Sequence, residues 1–134
     1  MASFSTLELA GRALAAQSTR LNTVASNLAN ADSVAGSPDE VYKPRYAVFK
    51  AVLMESGLPG VAVDEIRESE APAQARYQPG HPLADEQGYV YAPAVDVVES
   101  MADMISASRS YQSSLELMNT TKDLMVRTLE TGRG

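Results

Sequence analysis

Residues 7–31 read LELAGRALAAQSTRLNTVASNLANA, and their spacing decides the fold class. Leu7, Leu14, Leu21 and Leu28 recur every seven residues, with Ala10, Gln17, Val24 and Ala31 on the alternate seam, so seven of the eight seam positions are apolar. A seven-residue repeat of this kind predicts a helix that buries one narrow stripe against another helix. Ser5-Thr6-Leu7-Glu8 fits a capping box and sets the expected start. Asn30-Ala31-Asp32-Ser33 and Gly36-Ser37-Pro38 supply turn residues that stop the helix near Asn30. Such a run is a rod of about 39 Å at ~1.5 Å per residue.

The opposite end repeats the pattern. Val97, Met104, Tyr111, Met118 and Met125 alternate with Met101, Ser108, Leu115, Lys122 and Leu129. Asp96-Val97-Val98-Glu99 is a second capping box, and no proline or glycine intervenes before Gly132. The expected helix runs to about Glu130, roughly 52 Å at 1.5 Å per residue, which is excessive for a helix that only covers its own small core. Flexible Met side chains on its seam suit contact with several non-identical neighbours. The same periodicity is also met by an intramolecular helix pair with Met filling gaps.

Between the stripes the pattern changes. Tyr46–Leu53 is rich in β-branched and aromatic residues, Gly57-Leu58-Pro59-Gly60 is a turn, and Val61–Ile66 partly alternates. This predicts a hairpin. Arg76-Tyr77 and Tyr89-Val90-Tyr91 form a shorter strand pair around an irregular loop. The expected fold is therefore mainly α with a small β insert: an N-terminal helix in 1–32, a central hairpin and loop region in 33–93, and a C-terminal helix in 94–134. The two helices make a coiled-coil-like pair.

Composition narrows the function. With 134 residues, 45% of them hydrophobic but only eight aromatic (six Tyr, two Phe) and no Trp, the chain forms one domain with a thin core. The absence of cysteine excludes disulfides, thiolate nucleophiles and sulfur-based zinc sites. The start Met1–Glu8 has no basic, apolar secretory pattern, and no eighteen apolar residues run together. Composition alone thus suggests a soluble cytoplasmic protein. Of the net charge of −6, the acidic excess lies at 51–103, where ten carboxylates face only Arg67 and Arg76. No basic face exists for phosphate, so no nucleic-acid partner is expected.

No catalytic, metal or cofactor site is expected either. His81 is the only histidine and sits near Asp85 and Glu86, in the turn-rich run Pro79-Gly80-His81-Pro82. One imidazole with carboxylates is thin for a metal or a hydrolase, and a surface loop explains it. Ser106, Ser108 and Ser110 lie in no Gly-x-Ser-x-Gly elbow, and Gly57–Gly60 lacks the lysine of a phosphate cradle. Small residues there let a second helix approach closely.

Three segments carry a family resemblance. Ser26-Asn27-Leu28-Ala29-Asn30-Ala31-Asp32 resembles the S-N-[IL]-A-N-x-[DE] signature of flagellar axial proteins (rod, hook and hook-associated). Tyr77–Val90 and Val97–Gln112 resemble the proximal-rod members in particular. Two departures are local: Tyr91–Asp96 lacks an Asn-x-Asn, and Ser33–Glu40 is insertion-like. The resemblance implies a structural subunit of the bacterial flagellar basal body, a rod protein of the periplasmic space rather than the cytoplasm. Its partners would be further copies of itself, other rod proteins and the flagellar type III export apparatus, with no cleaved signal. The expected assembly interface is Leu7, Leu14, Leu21, Val24, Asn27, Leu28 and Asn30 on the first helix, and Met101, Met104, Ser108, Tyr111, Leu115, Met118 and Met125 on the second. The alternatives are another axial rod protein, or a small coiled-coil adaptor outside the flagellum.

Overall fold

The computed structural model describes residues 2–132. Helix α1 spans Ala2–Ala29 and helix α2 spans Val97–Gly132. Ser3 and Phe4 share a groove with Met125 and Leu129, Gly11 lies opposite Met118, and Arg20 forms an ion pair with Asp103. The helices therefore run antiparallel along almost the whole of α1. Between them lie β1 (Arg45–Leu53), β2 (Pro59–Glu68), β3 (Gln74–Tyr77) and β4 (Tyr89–Ala92), arranged as two separate antiparallel pairs, β1–β2 and β3–β4. The mainly α class with a small β insert holds, as does each strand pair.

The hairpin register runs from Arg45↔Glu68 to Leu53↔Pro59, with a bulge where Val48 faces Glu65 and Phe49 faces Val63, leaving Asp64 as the extra residue. Its turn is tighter and earlier than the sequence suggests. Gly57, at φ +80°, closes it by donating to the Met54 carbonyl at 2.9 Å, while Pro59 and Gly60 already belong to β2. The insertion-like stretch 33–40 is tied down: Ala35 and Tyr91 exchange backbone hydrogen bonds of 2.8 and 3.0 Å, extending the β3–β4 pair on its outer side.

The core is thin, as composition requires. Its buried apolar side chains are small (Ala10, Ala16, Val24, Ala31, Val41, Val90, Ala92, Ala107) apart from Met54, and the bulkiest residues fully out of solvent are Val90 and Pro93. Two expectations need correction. Ser5–Glu8 does not cap α1, because Ala2–Phe4 add nearly another turn ahead of it; Glu8 instead accepts from Arg12 Nε at 3.1 Å, an i,i+4 pair. The Asp96 cap does form, its Oδ1 accepting from the Glu99 amide at 3.1 Å.

The second correction concerns the α2 seam. Met104, Tyr111, Met118 and Met125 are half-buried as expected, but their companions are Ser100, Ala107, Ser114 and Thr121. Met101, Leu115, Lys122 and Leu129 are exposed. Apolarity pointed to one row, while the small residues one position earlier let the two helix backbones come close. α1, for its part, buries a second face. Ala16, Thr23 and Asn27 are buried on the side that meets the hairpin, where Arg12, Ala15 and Thr19 line a groove with Val61–Val63.

Candidate assembly interface

The signature segment at the end of α1 builds a joint between helix and hairpin. Asn27 is only 4% exposed. Its Oδ1 accepts from the Arg45 amide at 2.9 Å and from the Tyr42 hydroxyl at 2.9 Å, and its Nδ2 donates to the Arg45 carbonyl at 2.7 Å. An Asn side chain offers both a donor and an acceptor, and here it completes the start of β1 as a neighbouring strand would. Ser26 Oγ lies 3.0 Å from the Tyr42 hydroxyl. Asn30 Nδ2 donates at 2.9 Å to the Ser26 carbonyl, which also accepts the Asn30 amide at 3.1 Å. Asn27 and Asn30 thus act within the subunit, and Tyr42 is a member of this joint that spacing alone did not single out.

Helix α2 presents the opposite situation. Nine of its large apolar residues are exposed: Val97, Val98, Met101, Ile105, Leu115, Leu117, Leu124, Val126 and Leu129. Val98, Met101, Ile105, Ser108, Gln112 and Leu115 follow one another at alternating steps of three and four. They form a ridge about a quarter-turn from the buried stripe. Met101 is 54% and Ile105 57% exposed. Four of these six side chains are apolar and exposed, and the polar Ser108 and Gln112 interrupt the row.

The loop between β3 and β4 is self-contained. Asp85 Oδ1 accepts from the Gln87 and Tyr89 amides, each at 2.9 Å, and its Oδ2 accepts from the Tyr91 hydroxyl at 3.0 Å. The Tyr89 amide is the main cause holding the Asp85 carboxyl below its ordinary value, against a partial desolvation that raises it. Donation to that carboxylate pushes the Tyr91 hydroxyl above its own. His81 Nδ1 accepts from the Leu83 amide at 3.0 Å, a turn contact. Gly88 has φ +86°, and a Cβ there would stand 2.9 Å from Tyr77 Cε2, so the loop needs glycine. Among the described residues no three His, Cys, Asp or Glu side chains gather to hold a metal, and no helix is long and apolar enough to cross a membrane.

Comparison with known proteins matches this layout at both ends. The family described as "Flagella basal body rod protein" covers residues 7–36, and that described as "Flagellar basal body rod FlgEFG protein C-terminal" covers residues 86–131. The chain is 48% identical to the flagellar basal-body rod protein FlgC of Salmonella typhimurium over 99% of its own length and 100% of the relative's. It is 50% identical to the Yersinia enterocolitica FlgC over 94% of its length and 95% of that protein, and 41% identical to the Aquifex aeolicus FlgC over 95% of each. The chain belongs to the FlgC family of flagellar basal-body rod proteins.

Against that family background, the expected interface residues fall into three groups. Leu7, Leu14, Leu21 and Leu28 are half-buried in α1, and Val24 and Asn27 are buried. Met104, Tyr111, Met118 and Met125 line the intramolecular seam of α2, half-buried. Met101 and Leu115 are exposed on the ridge, and Ser108 is half-exposed between them. The Arg20–Asp103 ion pair between the helices was not foreseen, because residues 83 positions apart leave no local pattern.

Proposed function

We propose that this chain is a structural subunit of the proximal rod of the bacterial flagellar basal body, whose terminal helices pack with those of neighbouring subunits into a tubular shaft that transmits torque. Residues 1–32 and 94–134 form its helical core domain, and 33–93 its outer part. The observation that carries this reading, beside membership of the FlgC family, is the row of exposed apolar side chains on α2. The subunit satisfies its own packing with small residues and leaves Met101, Ile105 and Leu115 for other chains. Those chains are copies of itself and other rod proteins. The flagellar type III export apparatus delivers it to the periplasmic space without a cleaved signal. No reaction is assigned, and its work is mechanical.

The test is a map of isolated basal bodies by electron microscopy together with two bulky substitutions. Ser108→Trp places bulk on the ridge and should block rod assembly and swimming, whereas Glu65→Trp, on the exposed outer strand, should leave both intact. Overpacking a contact costs about 1–3 kcal/mol, and in a rod the penalty recurs at every subunit. Export of both variants is checked in parallel. Equal tolerance, or failure of the chain to trace into the rod, overturns the reading.

A further inference from the structure

The β1–β2 hairpin lies along α1 and is fixed to it differently at its two ends. At its base Asn27 bonds both the amide and the carbonyl of Arg45, and the Ser69 amide donates to the Pro44 carbonyl at 2.7 Å, closing the strands just behind that joint. At its tip the attachment is apolar. Met54, just past β1, is 3% exposed and sits against Gly60. A Cβ on Gly60 would stand 3.0 Å from Met54 Cγ and Sδ and 3.3 Å from Arg12 Cδ. Arg12 and Asn27 are about 22 Å apart along α1 at ~1.5 Å per residue. Between these anchors the two surfaces do not interlock. α1 offers the small Ala15, Ala16, Thr19 and Thr23, and clefts of about 200 and 370 Å³ separate it from the two strands. The ion pairs Lys50–Asp64, at 2.9 Å, and Arg45–Glu68, at 3.6 Å, join one strand of the hairpin to the other and not to the helix.

We infer that the hairpin is a strap, hinged at the Asn27–Arg45 joint and caught at its tip by Met54, that lifts from α1 while the α1–α2 pair stays closed. Its two anchors differ in kind. Hydrogen bonds to the Arg45 backbone fix the base in position, whereas the catch is one flexible thioether against a glycine and the stem of an arginine. The chain enters β1 and leaves β2 through irregular segments, 41–44 and 69–73, which can absorb a change of angle. A segment that meets its support through few buried apolar contacts opens at a lower free energy than the whole domain. Lifting the strap uncovers Ala16 and Thr23 on α1 together with Val61 and Val63 on β2. It lets the outer part change its angle to the helices without disturbing the seam at Ala107, and it holds whether or not the rod reading does.

Because the chain has no cysteine, a single introduced thiol reports one place. Ala16, 2% exposed, lies under the strap, and the fully buried Ala107 lies between the helices. In the full-length chain, with rates taken relative to the unfolded chain, an aromatic disulfide reagent should label Ala16→Cys roughly tenfold faster than Ala107→Cys and with less dependence on urea, since local opening reaches only the former. Adding Met54→Ala, which removes the catch, should quicken labelling at Ala16→Cys by about tenfold or more and leave Ala107→Cys unchanged. Gly60→Leu, which crowds the catch from the other side, should act in the same direction, and circular dichroism checks that each variant keeps its helices. Equal labelling of Ala16→Cys and Ala107→Cys, with the same urea dependence, would mean that the hairpin leaves α1 only when the whole subunit unfolds, and overturns the inference. So does labelling at Ala16→Cys that neither Met54→Ala nor Gly60→Leu accelerates.

Discussion

Helices α1 and α2 carry similar seven-residue stripes and sit in opposite circumstances. α1 is covered on two sides, by α2 and by the β1–β2 hairpin, and leaves only Phe4 and Leu9 as exposed large apolar residues. α2, longer by eight residues (36 against 28), buries only Ala107 and Thr121 fully and exposes nine large apolar residues. A helix gains most of its stability from the face it packs. α1 is therefore the spine on which the subunit is organised, and α2 is the helix whose outer face stays exposed in the single chain. Substitutions on the inner surfaces should disturb the isolated subunit, and those on the outer face of α2 should disturb only the assembly.

The sharpest challenge to that division is Ala107→Phe. Ala107 is fully buried on the seam, and forcing a ring between close helices should destabilise the isolated subunit by about 3 kcal/mol in urea denaturation, the upper end for overpacking. An unchanged midpoint would mean the helix pair opens freely. Next comes Asn27→Ala, which strips the Arg45 amide and carbonyl of their side-chain partners. A loss of about 2 kcal/mol is expected, with hydrogen exchange quickening first in β1. Uniform exchange throughout would show that the joint is not what seats the hairpin.

Gly11→Ala runs the other way. A Cβ there would meet Met118 Cε at 3.6 Å, an ordinary contact, while glycine within a helix costs about 1 kcal/mol relative to alanine. Stability should rise by up to that amount, and a fall would show that the helices need closer approach at this point. Acid distinguishes the loop from the helices. The Asp85 carboxyl is held below its ordinary 3.8, so its stabilising bonds are complete above that pH and are lost as the pH falls through the lower value of the folded state. Tyr91 is raised above 10.0, so the donation of its hydroxyl is complete below that pH and fails as the pH climbs through the higher value of the folded state. Amide resonances of Gln87 and Tyr89 should shift below pH 3.8 with a proton uptake absent from Asp85→Asn. Identical titration in that variant would assign the change elsewhere.

The smallest effect on the subunit is expected from Ile105→Asp. The side chain is exposed, so unfolding should move by no more than about ±0.5 kcal/mol, yet swimming should be lost. Swimming at the normal rate would remove the ridge from the interface.

The sequence pattern foretold more of the elements than of their partners. The heptads at Leu7–Leu28 and Met104–Met125 located both helices, and β-branched runs located both strand pairs, because local spacing and turn residues act within a few positions. The heptad row holding Met101 and Leu115 lies exposed while Ser100 and Ser114 sit on the inward seam, for a physical reason. Heptad apolarity records what a helix can bury, and close backbone approach records what it does bury. The Ser26–Asp32 segment was legible as a signature, but its work was not. The amide of Asn27 finds the backbone of Arg45 eighteen positions on, a distance no local rule spans.

The sequence by itself determined the helical ends, the β middle and the thin core, since each follows from residue type, period and turn chemistry. Only the tertiary structure decided which stripe of α2 turns inward and how the hairpin is clamped by Asn27 and Tyr42. Those features arise from residues far apart in the chain, brought together by the antiparallel packing of α1 on α2, and it is packing geometry rather than composition that sorts apolar side chains into core and interface.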